Sequence, residues 1–243
     1  MTKWYFFVLT AILCSCIRPP ESEPQNILSG LNEGQLLVLN EGLFQQNNTE
    51  LSLIDVEDET VYNNYFSFIS GEPLGDTGND MKVYGDKVYV VVYSSSKIEV
   101  LTKDSLKPTA TIPVFKNGSA RGPRSIAFDN GLFWITTYDG YALAYDTTTF
   151  LLQKEVRVGR NPEGLCMANS KIFVANSGGL DAPDYDRTVS IIDLSTDEVR
   201  TLDVAINLSS ITAYGNKVFV NSRGDYADIE SRVYLINSYS ETV

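Results

Sequence analysis

The chain contains no histidine. That removes the commonest general base near neutral pH, the commonest zinc ligand and every Ser-His or Cys-His nucleophile arrangement. Cysteine is scarce: Cys14, Cys16 and Cys166 are the only ones, and two of them stand close to the N-terminus. No disulfide framework is therefore open to the rest of the chain. Basic residues number 19 against 31 acidic, a net charge of −12. An acidic surface argues against nucleic acid and against electrostatic docking on anionic lipid. Helical periodicity of useful length is also missing, so the chain reads as all-β. What it does have is core material, 43% hydrophobic residues, an ordinary globular share.

One phrase recurs. It is clearest at 171–194, KIFVANSGGLDAPDYDRTVSIIDL. An apolar strand (Ile172–Ala175) runs into a polar loop, and a second alternating strand closes on Ile192-Asp193. Related phrases close on Asp55, Thr102, Asp146 and Asn237, so the five closing positions lie 47, 44, 47 and 44 residues apart. A period in the forties built from short β-branched and aromatic strands marks a β-propeller of four-stranded antiparallel blades. One such unit has no way to bury its own apolar faces, so the units pack round an axis.

The N-terminus reads differently. Residues 1–16 pair Lys3 with an apolar run from Trp4 to Leu13, too short to anchor across a bilayer. The run ends in Leu13-Cys14-Ser15-Cys16, which looks like a bacterial lipobox with Cys16 as the lipidated residue. Ordinary signal-peptidase cleavage is the alternative. Residues 17–33 are rich in proline and glutamate at their start and read as a disordered tether. The propeller domain then covers 34–243, about five blades, with the last one incomplete. Either the chain is part of a larger, seven-bladed ring, the reading favoured here, or five blades close with an irregular last strand.

In order, the units are 34–69, 80–114, 123–158, 162–204 and 208–243. The first offers strands at 36–41, 50–55 and 61–68 and lacks an innermost strand. Loops after the second strand and before the first strand of each unit share one face, where propellers usually place function on a rigid ring. They include 43–49, 71–79, 93–96, 115–124, 138–140, 159–163, 176–187 and 222–231. From these the candidate ligand-binding residues are Tyr93, Arg124, Tyr138, Tyr185 and Arg223. Aromatic rings stack on flat ligands, and forked guanidinium donors meet carbonyl or phosphate oxygens. Asp181, Asp184 and Asp186 are oxygen ligands at close spacing, the type calcium takes. The spacing is not that of an EF-hand, and such aspartates more often cap turns, so no metal is assigned. Cys166, inside Gly164-Leu165-Cys166-Met167, reads as a core thiol. No catalytic residue stands out, and no cofactor is implied.

LNEGLFQQNNTELSLID at 39–55, EPLGDTGNDMKVYGDKVYVVVYSSSKIEVL at 72–101 and VANSGGLDAPDYDRTVSIIDL at 174–194 resemble the YncE-like, seven-bladed propeller lipoproteins of gut Bacteroidetes. The resemblance implies an outer-membrane surface lipoprotein held only by its lipid. It implies capture of a small-molecule ligand, cobalamin being the best single guess, and delivery to a TonB-dependent transporter. Acidic Glu21 and Glu23 soon after Cys16 resemble the surface-export signal of that group. Two alternatives stand beside it: an envelope scaffold for protein partners without a small ligand, and a quinoprotein-like periplasmic oxidoreductase. The tryptophan-rich and cysteine-bearing motifs usual in the last are missing. Mass spectrometry of the native N-terminus is expected to find an acylated Cys16. A mature chain starting elsewhere with a free amine would overturn the lipobox reading.

Overall fold

The computed structural model describes residues 31–243. The signal segment 1–16, lipidation at Cys16 and most of the tether lie outside the described residues. Five sheets follow one another along the chain, each an antiparallel meander in sequence order. The first holds β1 (Gln35–Asn40), β2 (Glu50–Asp55) and β3 (Thr60–Tyr62), followed by a short helix, α1 (Tyr65–Ser70). The second holds β4 (Gly78–Tyr84), β5 (Lys87–Val92), β6 (Lys97–Thr102) and β7 (Pro108–Pro113). A small hairpin, β8 (Phe115–Lys116) and β9 (Ser119–Ala120), precedes the third sheet. That sheet comprises β10 (Pro123–Asp129), β11 (Leu132–Thr137), β12 (Tyr141–Asp146) and β13 (Leu152–Arg157). The fourth comprises β14 (Pro162–Ala168), β15 (Lys171–Asn176), β16 (Thr188–Asp193) and β17 (Val199–Asp203). The fifth comprises β18 (Leu208–Tyr214), β19 (Lys217–Ser222) and β20 (Arg232–Asn237).

The sheets stand face to face. The leading strands of successive sheets lie side by side, β1 by β4, β4 by β10, β10 by β14 and β14 by β18, so they form the innermost layer round an axis. Between the five sheets lie four apolar cores. Leu51, Leu53 and Leu74 meet Val88, Val90 and Leu101 between the first and second sheets. Tyr89, Val91 and Val100 meet Ile126, Phe133 and Ile135 between the second and third. Trp134, Ala142 and Ala144 meet Leu165, Ile172 and Val174 between the third and fourth. Phe173, Ala175 and Val189 meet Leu208, Val218 and Val220 between the fourth and fifth. Because a strand sends alternate side chains to opposite faces, Phe133 and Ile135 enter one core while Trp134 enters the next. All three are buried.

The closing residue of each repeat organises a turn. After β2, Asp55 Oδ1 accepts the backbone N–H groups of Glu57 and Asp58. After β12, Asp146 Oδ1 accepts those of Thr148 and Thr149 and the Thr149 hydroxyl. After β16, Asp193 Oδ1 accepts from Ser195 and Thr196. After β20, Asn237 Oδ1 does the same for Tyr239 and Ser240. These are Asx turns, and they explain the period seen in the sequence. In the second sheet Thr102 stands in this place and its hydroxyl lies 2.6 Å from the Ser105 hydroxyl.

Three local expectations are corrected. The strand expected at 61–68 ends at Tyr62, and α1 takes its place. Asn64 and Gly71 bound the helix in the left-handed region, which asparagine and glycine tolerate. Tyr65 and Phe66 then drop into the first core, and Glu50 accepts hydrogen bonds from the backbone and hydroxyl of Ser67. The loop expected at 115–124 contains β8 and β9, joined by Asn117-Gly118, both at positive φ, the signature of a tight hairpin. Leu31, assigned to the tether, packs against the first core, and its N–H donates to the Lys103 carbonyl.

Two predictions follow from this packing. Phe133→Ala should lower stability by about 3–5 kcal/mol, as large-to-small changes in a full core do, measured by urea unfolding. A loss under about 1 kcal/mol would place Phe133 outside a tight core. The second concerns acid. Backbone donors hold the carboxyls of Asp55 and Asp146 below the ordinary value, and the Ser195 hydroxyl leads in doing so for Asp193. A group whose folded pKa is depressed stabilises the fold above its unfolded pKa, and loses that contribution as pH falls through both values. Thermal stability should therefore hold above about pH 5 and fall below about pH 4. The double variant Asp146→Asn/Asp193→Asn keeps the acceptor, as Asn237 does naturally, and should show a shallower fall. Identical acid profiles for the two proteins would remove these turns from the acid response.

Candidate functional site

Four of the five innermost strands share a defect at the same point, and β1 pairs with β2 without one. Pairing of β4 with β5 skips between Gly78 and Asp80, and β10, β14 and β18 skip at Pro123/Ile126, Pro162/Leu165 and Leu208/Ile211. A bulge frees residues from the ladder and re-aims their side chains. Here the freed positions hold Asn79, Arg124-Ser125, Glu163-Gly164 and Ser209-Ser210, and all of them line an axial channel of about 490 Å³. Glu41, Asp80, Lys82 and Arg223 complete its polar wall. Gly164 is needed where it stands: a Cβ there would lie 2.8 Å from the Ser209 carbonyl oxygen of the neighbouring strand.

Glu163 is the centre of the site. Its side chain is only 7% exposed. Arg124 Nε and Nη2 donate to Glu163 Oε2 at 2.9 and 2.7 Å. The Tyr138 hydroxyl donates to Oε1 at 2.5 Å, and Arg223 Nη1 to the same oxygen at 3.3 Å. The Arg124 guanidinium lies 4.7 Å from the ring centres of both Tyr93 and Tyr138, a cation–π arrangement. The two rings meet edge to face at 5.3 Å. Gly122, at φ 61°, lets the backbone pass close to the Tyr93 ring, where a Cβ would come within 2.7 Å. Burial, then the negative charge of Glu163, pushes the Tyr138 hydroxyl pKa well above its usual value, so it stays a donor. Asp80 ties the second sheet to the third: its Oδ2 accepts from the Ser125 hydroxyl and the Ile126 N–H.

The structure thus brings together Tyr93, Arg124, Tyr138 and Arg223. Tyr185 is half-buried in the β15–β16 loop and lines neither the channel nor the groove beside it. Asp181, Asp184 and Asp186 gather round an internal cation. Arg160 Nη1 lies 2.7 Å from Asp181 and 3.4 Å from Asp184, and its backbone N–H donates to Asp186. Asp186 Oδ1 accepts from the backbone of Arg187 and Thr188. Among the described residues no group of acidic and cysteine side chains is arranged to hold a metal ion. Cys166 lies buried in β14, where burial pushes its thiol pKa up to about 12.

Glu163 was missed by sequence reasoning, although a signal was there. Pro123-Arg124 and Pro162-Glu163 hold the same place in successive repeats, so aligning the repeats sets opposite charges on neighbouring innermost strands.

Face-packed antiparallel sheets round a polar axis make this protein a β-propeller. Residues 34–220 match the family described as domain of unknown function (DUF5074), and the chain belongs to that family. Sqt1 of Saccharomyces cerevisiae is similar in fold, with TM-score 0.63 at 10% identity over 86% of this chain and 56% of that one. The WD40 β-propeller domain of Doa1 gives 0.59 at 17% identity, over 88% of this chain and 64% of that one. Hydrazine synthase of Kuenenia stuttgartiensis gives 0.57 at 17% identity, and this chain spans 45% of its length. At these identities the likeness is one of fold. No curated protein matches the chain.

Proposed function

We propose that the protein is a binding protein rather than an enzyme, and that its ligand sits across the mouth of the axial channel. One observation carries this reading. Arg223 lines the channel, its side chain 40% exposed, and its guanidinium reaches Glu163 Oε1 at 3.3 Å. It stands next to an Arg124–Glu163–Tyr138 network that is already fixed. A rigid network of this kind loses little ordering entropy on binding. Both oxygens of Glu163 are committed to donors, which suits positioning better than proton transfer.

The phrases shared with YncE-like surface lipoproteins support cobalamin as the ligand to try first, Cys16 as the lipid anchor and a TonB-dependent transporter as the recipient. A corrinoid is too broad to enter the channel. It would lie over the mouth, its peripheral amide carbonyls and phosphodiester facing Arg223. Isothermal titration of the mature protein with cobalamin tests the reading. Arg223→Ala should weaken binding by more than about 1 kcal/mol with the melting temperature unchanged. Lys103→Ala, on the opposite face, should be silent. Equal losses from both would mean that the wrong surface has been chosen. A folded protein that gives no heat with cobalamin would put the scaffold reading in front, which the exposed Phe44, Leu180, Tyr226 and Ile229 of the loop face favour.

A further inference from the structure

Beside the channel mouth, on the same face, lies a groove of about 420 Å³. Four sheets contribute to it: Phe44 from the first, Tyr93 and Ser94 from the second, Tyr138 and Asp139 from the third and Leu180 from the fourth. The Tyr93–Arg124–Tyr138 stack divides the two spaces, the rings lining the groove and the guanidinium lining the channel. Phe44 and Leu180 are 64% and 68% exposed. Large apolar side chains held out in solvent at one depression are what a protein interface needs at its centre.

The loops that carry them are stapled. The Leu43 N–H donates to Asn48 Oδ1 at 2.7 Å, and the Asn47 N–H donates across to Asp76 of the next sheet. The Leu180 N–H donates to Asn161 Oδ1, and Arg160 grips Asp181 and the Asp184 carbonyl. The anchors are therefore presented in place before any partner arrives, which lowers the ordering cost of association. The rim is acidic. Asp139 lines the groove, Asp76 holds the Phe44 loop through the Asn47 N–H, and Asp181 and Asp184 follow Leu180 in its loop. Against these four carboxylates stand two arginines, Arg121 paired with Asp139 and Arg160 with Asp181 and Asp184, which leaves an excess of negative charge.

We infer that this groove docks a protein partner through a segment that presents an aromatic side chain flanked by lysine or arginine. The aromatic group enters between Phe44 and Leu180, and the flanking cations meet the acidic rim. An anionic lipid surface is repelled by the same rim. The inference stands apart from the ligand site, because Phe44 and Leu180 take no part in the Arg124–Glu163–Arg223 network.

The test uses a fluorescently labelled peptide, Gly-Lys-Lys-Trp-Lys-Lys-Gly, with one counterpart carrying serine for tryptophan and another carrying glutamate for lysine. Anisotropy is read against the mature chain at low and high salt. The Trp/Lys peptide should bind at least about tenfold more tightly than either counterpart, and Phe44→Ala/Leu180→Ala should lower its affinity about tenfold, a hot-spot effect. High salt should weaken the remaining binding. Thermal melts check the fold, and the single variant Leu180→Ser serves if the double variant melts early. Equal binding of the serine peptide, unchanged affinity in the variants, or no binding of the Trp/Lys peptide would each overturn the inference. Arg223→Ala should leave this affinity intact, so failure here and failure of the ligand site are told apart.

Discussion

A β-sheet that is apolar on both faces has to be covered on both faces, and most of this structure follows from that. β5, β11 and β15 each run through four or more consecutive buried residues, a pattern a half-solvated sheet never shows. Each such sheet needs a neighbour on either side. Right-handed twist accumulates from strand to strand, so stacked sheets fan about an axis. Chain direction then repeats from sheet to sheet, and equivalent loops fall on one face. The loops that carry Phe44, Tyr93, Tyr138, Leu180 and Arg223 are neighbours for this reason alone, although they span most of the chain.

The second consequence concerns charge. The innermost strands approach the axis with one edge unpaired by any further strand, and a bulge in β4, β10, β14 and β18 releases one or two side chains there. Charges brought so close to the axis have to be matched, because an unpaired buried ion is strongly destabilising. Arg124 and Glu163, supplied by adjacent sheets, meet this need and are braced by Tyr93 and Tyr138. Three cations, Lys82, Arg124 and Arg223, and three carboxylates, Glu41, Asp80 and Glu163, line the channel of a chain whose net charge is −12. That balance sets the channel apart from the acidic chain around it.

Architecture was legible in the sequence because the signals behind it are local. The closing aspartates, the β-branched runs and the period of the repeat are each set by neighbours in the chain: an Asx turn needs only the next three residues, and strand alternation needs only its own side chains. Helix α1 was missed because six residues hold too little periodicity, and it forms by packing Tyr65 and Phe66 into a core the sequence does not display. The β8–β9 hairpin was within reach, since Asn117-Gly118 announces it.

The site divides along the same line. Composition and spacing determined that no histidine chemistry was available, that the chain would be built of repeated sheets, and which loops would share a face. Only the tertiary structure decided what met there. It placed Glu163 between Arg124 and Arg223, left Tyr185 aside, and filled the Asp181–Asp186 cluster with Arg160. These partners stand 39, 60 and 21 positions apart in the chain for Arg124–Glu163, Arg223–Glu163 and Arg160–Asp181. Local sequence fixes the direction of a strand and the place of a turn. Which charges come together depends on the rotation between successive sheets and the position of their bulges, and both arise only when the faces pack.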